Sequence, residues 1–182
     1  GKPLQLNLEL TARKAAIQSV KINGKEADWI CDTAAIGKPV IVLKTPKAEK
    51  YNIEIVWGES PIESITTDSV LASGDQIQLQ TKLAQILEIN DPQSVLKELQ
   101  TNQQNLTAKL KGELGGRSFF VKLQQGKLSW WQPISLELKE PVEFVFDKNQ
   151  PEDKLEFVVQ NNSNNEITGT ILLKDFKQKL KL

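Results

Sequence analysis

The residues of this sequence best suited to binding chemistry are three large aromatics in the stretch SFFVKLQQGKLSWWQPISLEL, residues 118–138. They are Phe120, Trp130 and Trp131, and lysines lie near them in the sequence. An aromatic ring that faces solvent beside lysines offers a flat apolar surface with polar donors at its rim. A sugar can bind such a surface, because its C–H face stacks on the ring while its hydroxyl groups form hydrogen bonds. The first question is therefore which of these rings belong to the core.

Catalytic chemistry is restricted by the residue types that the 182-residue chain lacks. It contains no histidine, which excludes Ser–His and Cys–His dyads and histidine-ligated metals, and its one cysteine, Cys31, excludes thiolate zinc and iron–sulfur sites. Carboxylate pairs remain, for instance Glu137 with Glu140 or Glu152 with Asp153. These acids are more typical of solvated strands and turns, so we expect no catalytic residue, no metal site and no cofactor.

Composition and charge limit the possible partners. The chain is 39% hydrophobic, which is enough for one large or two small domains with cores of their own. The 23 basic and 23 acidic residues balance, so no long-range field favours nucleic acid. No apolar run approaches the roughly 18–20 residues needed to span a bilayer. Gly1 is interpreted as the remnant of a cleaved tag, so the lack of a signal peptide does not bear on export.

The first part of the chain, residues 1–60, has the pattern of short strands. LQLNLEL alternates apolar and polar residues with a period of two, which indicates a strand with one buried face. Asn23-Gly24 predicts a tight hairpin, because both turn positions need a positive φ. Pairing across that turn places Lys21 opposite Glu26. Five such strands predict a small antiparallel sandwich.

The rest of the chain completes an all-β prediction. Residues 61–74, rich in Ser and Thr, are predicted to be a linker or crossing loop, and residues 75–182 a second sandwich. One helix is expected near 92–103, because Asp91 suits an N-cap, Pro92 suits the first helical position, and apolar residues follow at 3–4 spacing. The predicted fold is therefore two antiparallel β-sandwich domains of immunoglobulin-like type with one short helix.

A turn at Gly115-Gly116 would pair the flanking strands and place Lys111 opposite Phe120. One face of this predicted hairpin is apolar and belongs to the core, and the other is rich in lysine. The apolar face carries Ala108, Leu110, Phe119, Val121 and Leu123, and the other carries Lys109, Lys111, Phe120 and Lys122.

A second turn, at residues 124–127, assigns the two adjacent tryptophans to opposite faces. Trp130 then meets Val121 on the core face, and Trp131 meets Phe120 on the face with the lysines. We therefore predict that Trp130 is buried and that Trp131 faces outward. Trp29 and Trp57 are predicted to be core anchors of the first sandwich.

Four segments carry a resemblance to a known group of proteins: VKINGKEADW, KYNIEIVWG, SWWQPISLELKEPVE and LEFVVQNNSNNEITGTILL. They resemble the immunoglobulin-like or fibronectin-like accessory β-sandwich modules of large exported bacterial glycoside hydrolases, especially the six-hairpin glycosidases. The resemblance implies an exported protein, in the periplasm or at the cell surface. It also implies a neighbouring catalytic domain in a longer chain and a supporting or sugar-binding role here. No catalytic residue carries over.

Three interpretations of the aromatic surface remain open at this stage. Another domain or a loop covers it, or the ring pair only stabilises the sheet, or it binds a polysaccharide or another ligand. Rival functions are protein recognition or adhesion through a sheet edge and, more remotely, carboxylate-dependent hydrolysis. The candidate ligand-binding residues are Trp131, Phe120, Lys111, Lys122 and Gln132.

Overall fold

The computed structural model describes residues 5–146, 156–173 and 176–182. Within these ranges the protein is all-β: it contains several sheets and no helix, and 60% of it is strand. The period-two alternation in much of the sequence accounts for this, because it gives a strand one face to bury.

The first core lies between two three-stranded sheets built from the N-terminal strands. Strand order is β1-β5-β4 in one sheet and β3-β2-β6 in the other. The fully buried side chains at its centre are Ile41, Leu43 and Val20, together with Leu128 from later in the chain. Trp29 and Trp57 pack against this core as predicted. The strands are β1 (Gln5–Thr11), β2 (Ile17–Ile22), β3 (Lys25–Glu26), β4 (Trp29–Asp32), β5 (Val40–Pro46) and β6 (Ile53–Trp57).

The predicted Asn23-Gly24 hairpin is confirmed. Both residues have positive φ, 52° and 76°, as a two-residue turn of this type requires. Lys21 pairs with Glu26 in the register expected, and their side chains form an ion pair of 3.7 Å.

The second core lies between a three-stranded sheet, β10-β11-β8, and a four-stranded sheet, β7-β13-β12-β9. Its largest fully buried side chains are Trp130 and Phe119. In the four-stranded sheet β7 is parallel to β13, and the other pairs are antiparallel. The strands are β7 (Val70–Ala72), β8 (Gln76–Gln80), β9 (Gln85–Asn90), β10 (Leu96–Thr101), β11 (Asn105–Leu110), β12 (Gly115–Gln125) and β13 (Leu128–Lys139).

The segment that crosses between the two cores is held in place by buried glutamines. Gln125 accepts a hydrogen bond from the Glu63 N–H (3.0 Å) and donates one to the Pro61 carbonyl (2.8 Å). Gln132 accepts from the Ile65 N–H (3.0 Å) and donates to the carbonyl of the same residue. The two side-chain amides thus bind backbone groups of the crossing segment, as a neighbouring strand would. Without them these backbone N–H and C=O groups would be buried without hydrogen bonds.

Glu63 fixes the same segment to the turn before β9. Its carboxylate accepts three backbone N–H groups, from Lys82 (2.6 Å), Leu83 (2.7 Å) and Ala84 (2.6 Å). Burial raises the pKa of Glu63, but the three N–H donors and the Lys82 charge outweigh it, so the pKa is lowered from its usual 4.5. Whether residues 1–60 and 75–182 are separate domains stays a prediction, since Ile62 contacts both cores.

The last strands form two two-stranded sheets, β14-β15 and β16-β17. In the described part of the chain neither core contains a residue beyond Leu138. The strands are β14 (Val142–Phe146), β15 (Phe157–Asn161), β16 (Thr168–Leu173) and β17 (Phe176–Lys181). We call residues 5–139 the body and these four strands the C-terminal hairpins.

Asp75 joins the C-terminal hairpins to the body. Its side chain is 2% exposed, and its carboxylate accepts hydrogen bonds from one body residue and from the turn between β15 and β16. The donors are the Ala72 N–H (3.2 Å), the Ser163 hydroxyl, the Asn164 N–H (3.1 Å) and the Asn165 side-chain amide (3.2 Å). A buried carboxylate with four donors is fully solvated by protein groups.

The helix predicted near 92–103 is wrong, because β10 occupies the centre of that range and no helix forms there. Asp91 does accept backbone hydrogen bonds as a helix cap would. Its donors are the N–H groups of Val95 (3.0 Å) and Leu96 (2.8 Å), and they belong to a turn and not to a helix. Ser94 then takes a φ of 55°, which stops a right-handed helix before its first full turn. The apolar residues taken for a helical stripe are two buried core residues followed by Leu99, which is exposed.

Candidate functional site

The two faces of β13 separate the core from the candidate site. Trp130 is 1% exposed and lies on the inner face, as predicted. Trp131 lies on the outer face and is half-buried. Because successive side chains of a strand point to opposite faces, the two adjacent tryptophans have different environments.

The register between β12 and β13 differs from the prediction by two residues. The turn is the two-residue Gly126-Lys127, with Gly126 at a φ of 62°, rather than the longer loop expected. Trp131 therefore lies opposite Lys122, and Phe120 lies opposite Pro133. A shift of two keeps every side chain on its predicted face, which is why the inner position of Trp130 was still correct.

Lys122 lies over the ring of Trp131. Its ammonium is 5.2 Å from the ring centroid and 3.7 Å from the Glu88 carboxylate on β9. Such a cation–π contact contributes about 0.5–1 kcal/mol at an exposed site. Lys122 therefore covers part of the ring weakly, and a ligand that stacks there has to displace its ammonium.

Ile36 extends this surface beyond the edge of β13. The Trp131 N–H donates to the Ala35 carbonyl and the Gly37 N–H donates to the Trp131 carbonyl, both at 2.8 Å. This parallel bridge places Ile36 beside Trp131 on the outer face, with its side chain 66% exposed. Ile36 was not among the predicted site residues, because a one-residue bridge leaves no periodic pattern in the sequence.

Phe120 and Pro133 form the next row of the outer face. Phe120 is half-buried and Pro133 is exposed, and they are directly opposite each other. A further row consists of Ser118 and Ser135, whose hydroxyl oxygens are 3.0 Å apart. We call Ile36, Phe120, Lys122, Trp131 and Pro133 the aromatic face.

Pro133 occupies a strand position that tolerates proline. The Trp131 N–H donates to the Ala35 carbonyl and the Glu137 N–H donates to the Ser69 carbonyl, so odd-numbered residues of β13 direct their N–H toward the β7 edge. Pro133 lies between these two paired positions. Proline has no N–H, so here the edge of the strand stays open without disturbing the pairing to β12.

Two of the predicted site residues lie elsewhere. Lys111 follows β11, which pairs with β8 and β10 and not with β12, so the predicted Gly115-Gly116 hairpin is wrong. Lys111 and the aromatic face therefore lie on opposite sides of the second core. Lys111 lines a cleft there with Lys97 and Lys109. The buried residues of β11 and β12 were placed correctly on an inner face. An alternating pattern cannot distinguish strands that pair side by side from strands that face each other across a core.

Gln132 also lies away from the aromatic face. It is 8% exposed on the inner side of β13, and its amide is used entirely by the hydrogen bonds to residues 64 and 65. It is a structural residue, and the aromatic face keeps Trp131, Phe120 and Lys122 from the predicted set.

The proposed carboxylate pairs receive no geometric support. Glu137 and Glu140 are both exposed and three residues apart on an extended chain, so they point away from each other. Glu152 and Asp153 lie outside the described residues. Among the residues that the structure does describe, no group of three or more potential metal ligands comes together.

Comparisons with known proteins add no identity to this geometry. In the described ranges there is also no helix long and apolar enough to cross a membrane. No family model, no curated protein and no solved structure matches this chain.

Proposed function

We propose that this chain is a non-catalytic, immunoglobulin-like β-sandwich module of an exported bacterial carbohydrate-processing protein. Its aromatic face binds glycan for a catalytic domain elsewhere in a longer chain. The observation that carries the proposal is the continuous apolar surface formed by Ile36, Trp131, Phe120 and Pro133. Its backbone is held by a four-stranded sheet, so little order has to be gained on binding.

The shape of the aromatic face suits a pyranose better than a compact polar ligand. Trp131, Phe120 and Pro133 are planar or nearly flat groups in adjacent rows. The Lys122 ammonium lies over the Trp131 ring, and the hydroxyls of Ser118 and Ser135 lie in the next row. A sugar stacked on Trp131 would face the Lys122 ammonium, which could then bind a hydroxyl or a carboxylate of the ligand. Displacing the lysine costs about 0.5–1 kcal/mol, less than a stacked aromatic contact supplies at a binding hot spot.

The test is a glycan-array screen of the isolated chain, followed by titration of any glycan that binds. Trp131→Ala should weaken binding by about thirtyfold or more, the loss typical of a hot spot. Its free energy of unfolding should fall by no more than about 1 kcal/mol, because only a cross-strand pair is lost. Ile30→Ala is the matched control, since Ile30 is an exposed isoleucine away from this face. Unchanged binding in Trp131→Ala would contradict the proposal.

Lys122→Ala distinguishes the charge of the ligand. A neutral glycan should bind Lys122→Ala as well as or better than the wild type, because the ring is uncovered. An acidic glycan should bind it more weakly, because the ion pair is lost.

A second candidate is a structural role in which a neighbouring domain covers the same face. The 66% exposure of Ile36 favours this reading, because large exposed apolar groups often mark interfaces. An array without any binding, together with burial of Trp131 and Ile36 against another domain in a longer natural chain, would support the structural role and exclude the glycan site.

A further inference from the structure

The β14-β15 hairpin exposes apolar side chains on both of its faces. Phe144 and Phe146 are 47% and 54% exposed on one face, and Val145 and Val158 are 45% and 66% exposed on the other. A two-stranded hairpin is at best marginally stable alone in water, and three or more strands are needed to cover a face. The hairpin therefore has the composition of an inner strand pair, although no further strand among the described residues pairs with it.

Three other edge strands of the molecule, β3, β10 and β17, carry features that discourage pairing with another chain. β10 has a bulge between Lys97 and Gln100, β3 has only two residues, and β17 has lysine at every second position. Bulges, short length and lysines all protect a sheet edge. β14, whose sequence is VEFVF, has no bulge, no lysine and no proline.

We propose that β14 pairs antiparallel with β14 of a second copy of this chain, with Phe144 at the two-fold axis. Phe144 then faces its own symmetry mate, Val142 faces Phe146, and Glu143 faces Val145. The β14-β15 hairpins of the two copies then form one four-stranded sheet. A sheet of four strands is large enough to be stable in water, whereas a single hairpin is not. The inference is independent of the aromatic face, which lies on the body.

Charge and pattern favour a second copy as the partner. The net charge of the chain is zero, so two copies do not repel each other at long range. The register centred on Phe144 brings no two like charges opposite each other. If β17 instead paired antiparallel with β17 of a second copy about its centre, lysine positions would lie opposite each other, which destabilises a sheet.

The expected dimer is weak. A phenylalanine contributes about 200 Å² of surface, so the half-exposed Phe144 and Phe146 leave about 200 Å² of aromatic area in water. A stable interface buries about 800 Å² on each partner. Pairing of one short strand gives less than that, so association should depend on concentration.

Sedimentation equilibrium of the full chain tests the proposal. The weight-average mass should rise toward twice the monomer value over about 1–300 µM, as for a weak complex. Phe144→Lys should keep the chain monomeric throughout, because it places two ammonium groups at the axis. Leu83→Lys is the matched control, since Leu83 is 54% exposed against 47% for Phe144 but lies outside the hairpin, and this variant should dimerise like the wild type. A wild-type chain that stays monomeric at the highest concentration would overturn the proposal and leave the hairpin to a different partner.

A charge-swap experiment separates loss of the interface from loss of the hairpin. Phe144→Lys and Phe144→Glu should each be monomeric alone, and an equimolar mixture should form a heterodimer because opposite charges then meet at the axis. A dimer that persists in either variant alone, or a mixture that remains monomeric, would show that Phe144 is not at a two-fold contact.

Discussion

The strands of the body and those of the C-terminal hairpins are both rich in apolar residues, but the two regions differ in what covers these residues. In the body, the apolar face of each sheet meets another sheet, and residues such as Trp130 and Leu43 are almost completely buried. In the hairpins, Phe146 and Val158 remain more than half exposed. The contrast shows that the apolar residues of a strand specify surface to be buried, whereas the second layer that buries this surface has to come from elsewhere.

Among the substitutions that test this contrast, Trp130→Ala is expected to lower the stability of the body most. The substitution empties a large site in the second core, so it should lower the free energy of unfolding by about 3–5 kcal/mol. Urea unfolding followed by tryptophan fluorescence measures it, and the other three tryptophans, all in the body, provide the signal. A loss below about 1 kcal/mol would mean that the core of the body is not closed around this ring.

A smaller, pH-dependent effect is expected from Glu63→Gln. Because the folded pKa of Glu63 is lowered, its charged form stabilises the fold above pH 4.5, and that contribution is lost as the pH falls through the folded pKa. At neutral pH the substitution should cost about 1–2 kcal/mol, since a charged acceptor is lost to three amides. Urea titrations at several pH values between neutral and acid measure both effects.

The wild type should lose more stability than Glu63→Gln as the solution is acidified. Parallel curves for the two proteins would show that the Glu63 carboxylate does not help to hold the crossing segment to the body.

The smallest effect is expected from Phe146→Ala in the hairpins. Phe146 touches Phe157, with ring centroids 5.7 Å apart, but neither belongs to a core of the body. Unfolding of the body, followed by tryptophan fluorescence at low protein concentration, should change by less than about 0.5 kcal/mol. A loss comparable to that of Trp130→Ala would show that the hairpins and the body unfold as one unit and would remove the contrast.

Local chemistry and strand faces could be predicted from the sequence, but long-range pairing could not. The Asn23-Gly24 hairpin follows from two residues that accept a positive φ, and the inner position of Trp130 follows from a period of two. The helix near 92–103 failed because Asp91 suits a turn as well as a helix cap. Which strand lies beside β12 depends on the whole core and not on the local pattern.

The aromatic face shows the same limit. Phe120, Lys122 and Trp131 were found because they alternate on two strands joined by a short turn. Lys111 was assigned to it through a hairpin that does not form, and Ile36 comes from about a hundred residues earlier in the chain. A surface assembled from distant segments leaves no spacing in the sequence by which it could be recognised.

Asp75 determines how the molecule would transmit a mechanical load. A pull on Leu182 enters β17 and passes through its paired backbone hydrogen bonds with Ile167 to the turn that Asp75 holds. There the Ser163 hydroxyl and its two neighbours share one carboxylate, so the force divides among three hydrogen bonds at a single anchor point. The hairpins are therefore expected to separate from the body at this anchor before either core unfolds.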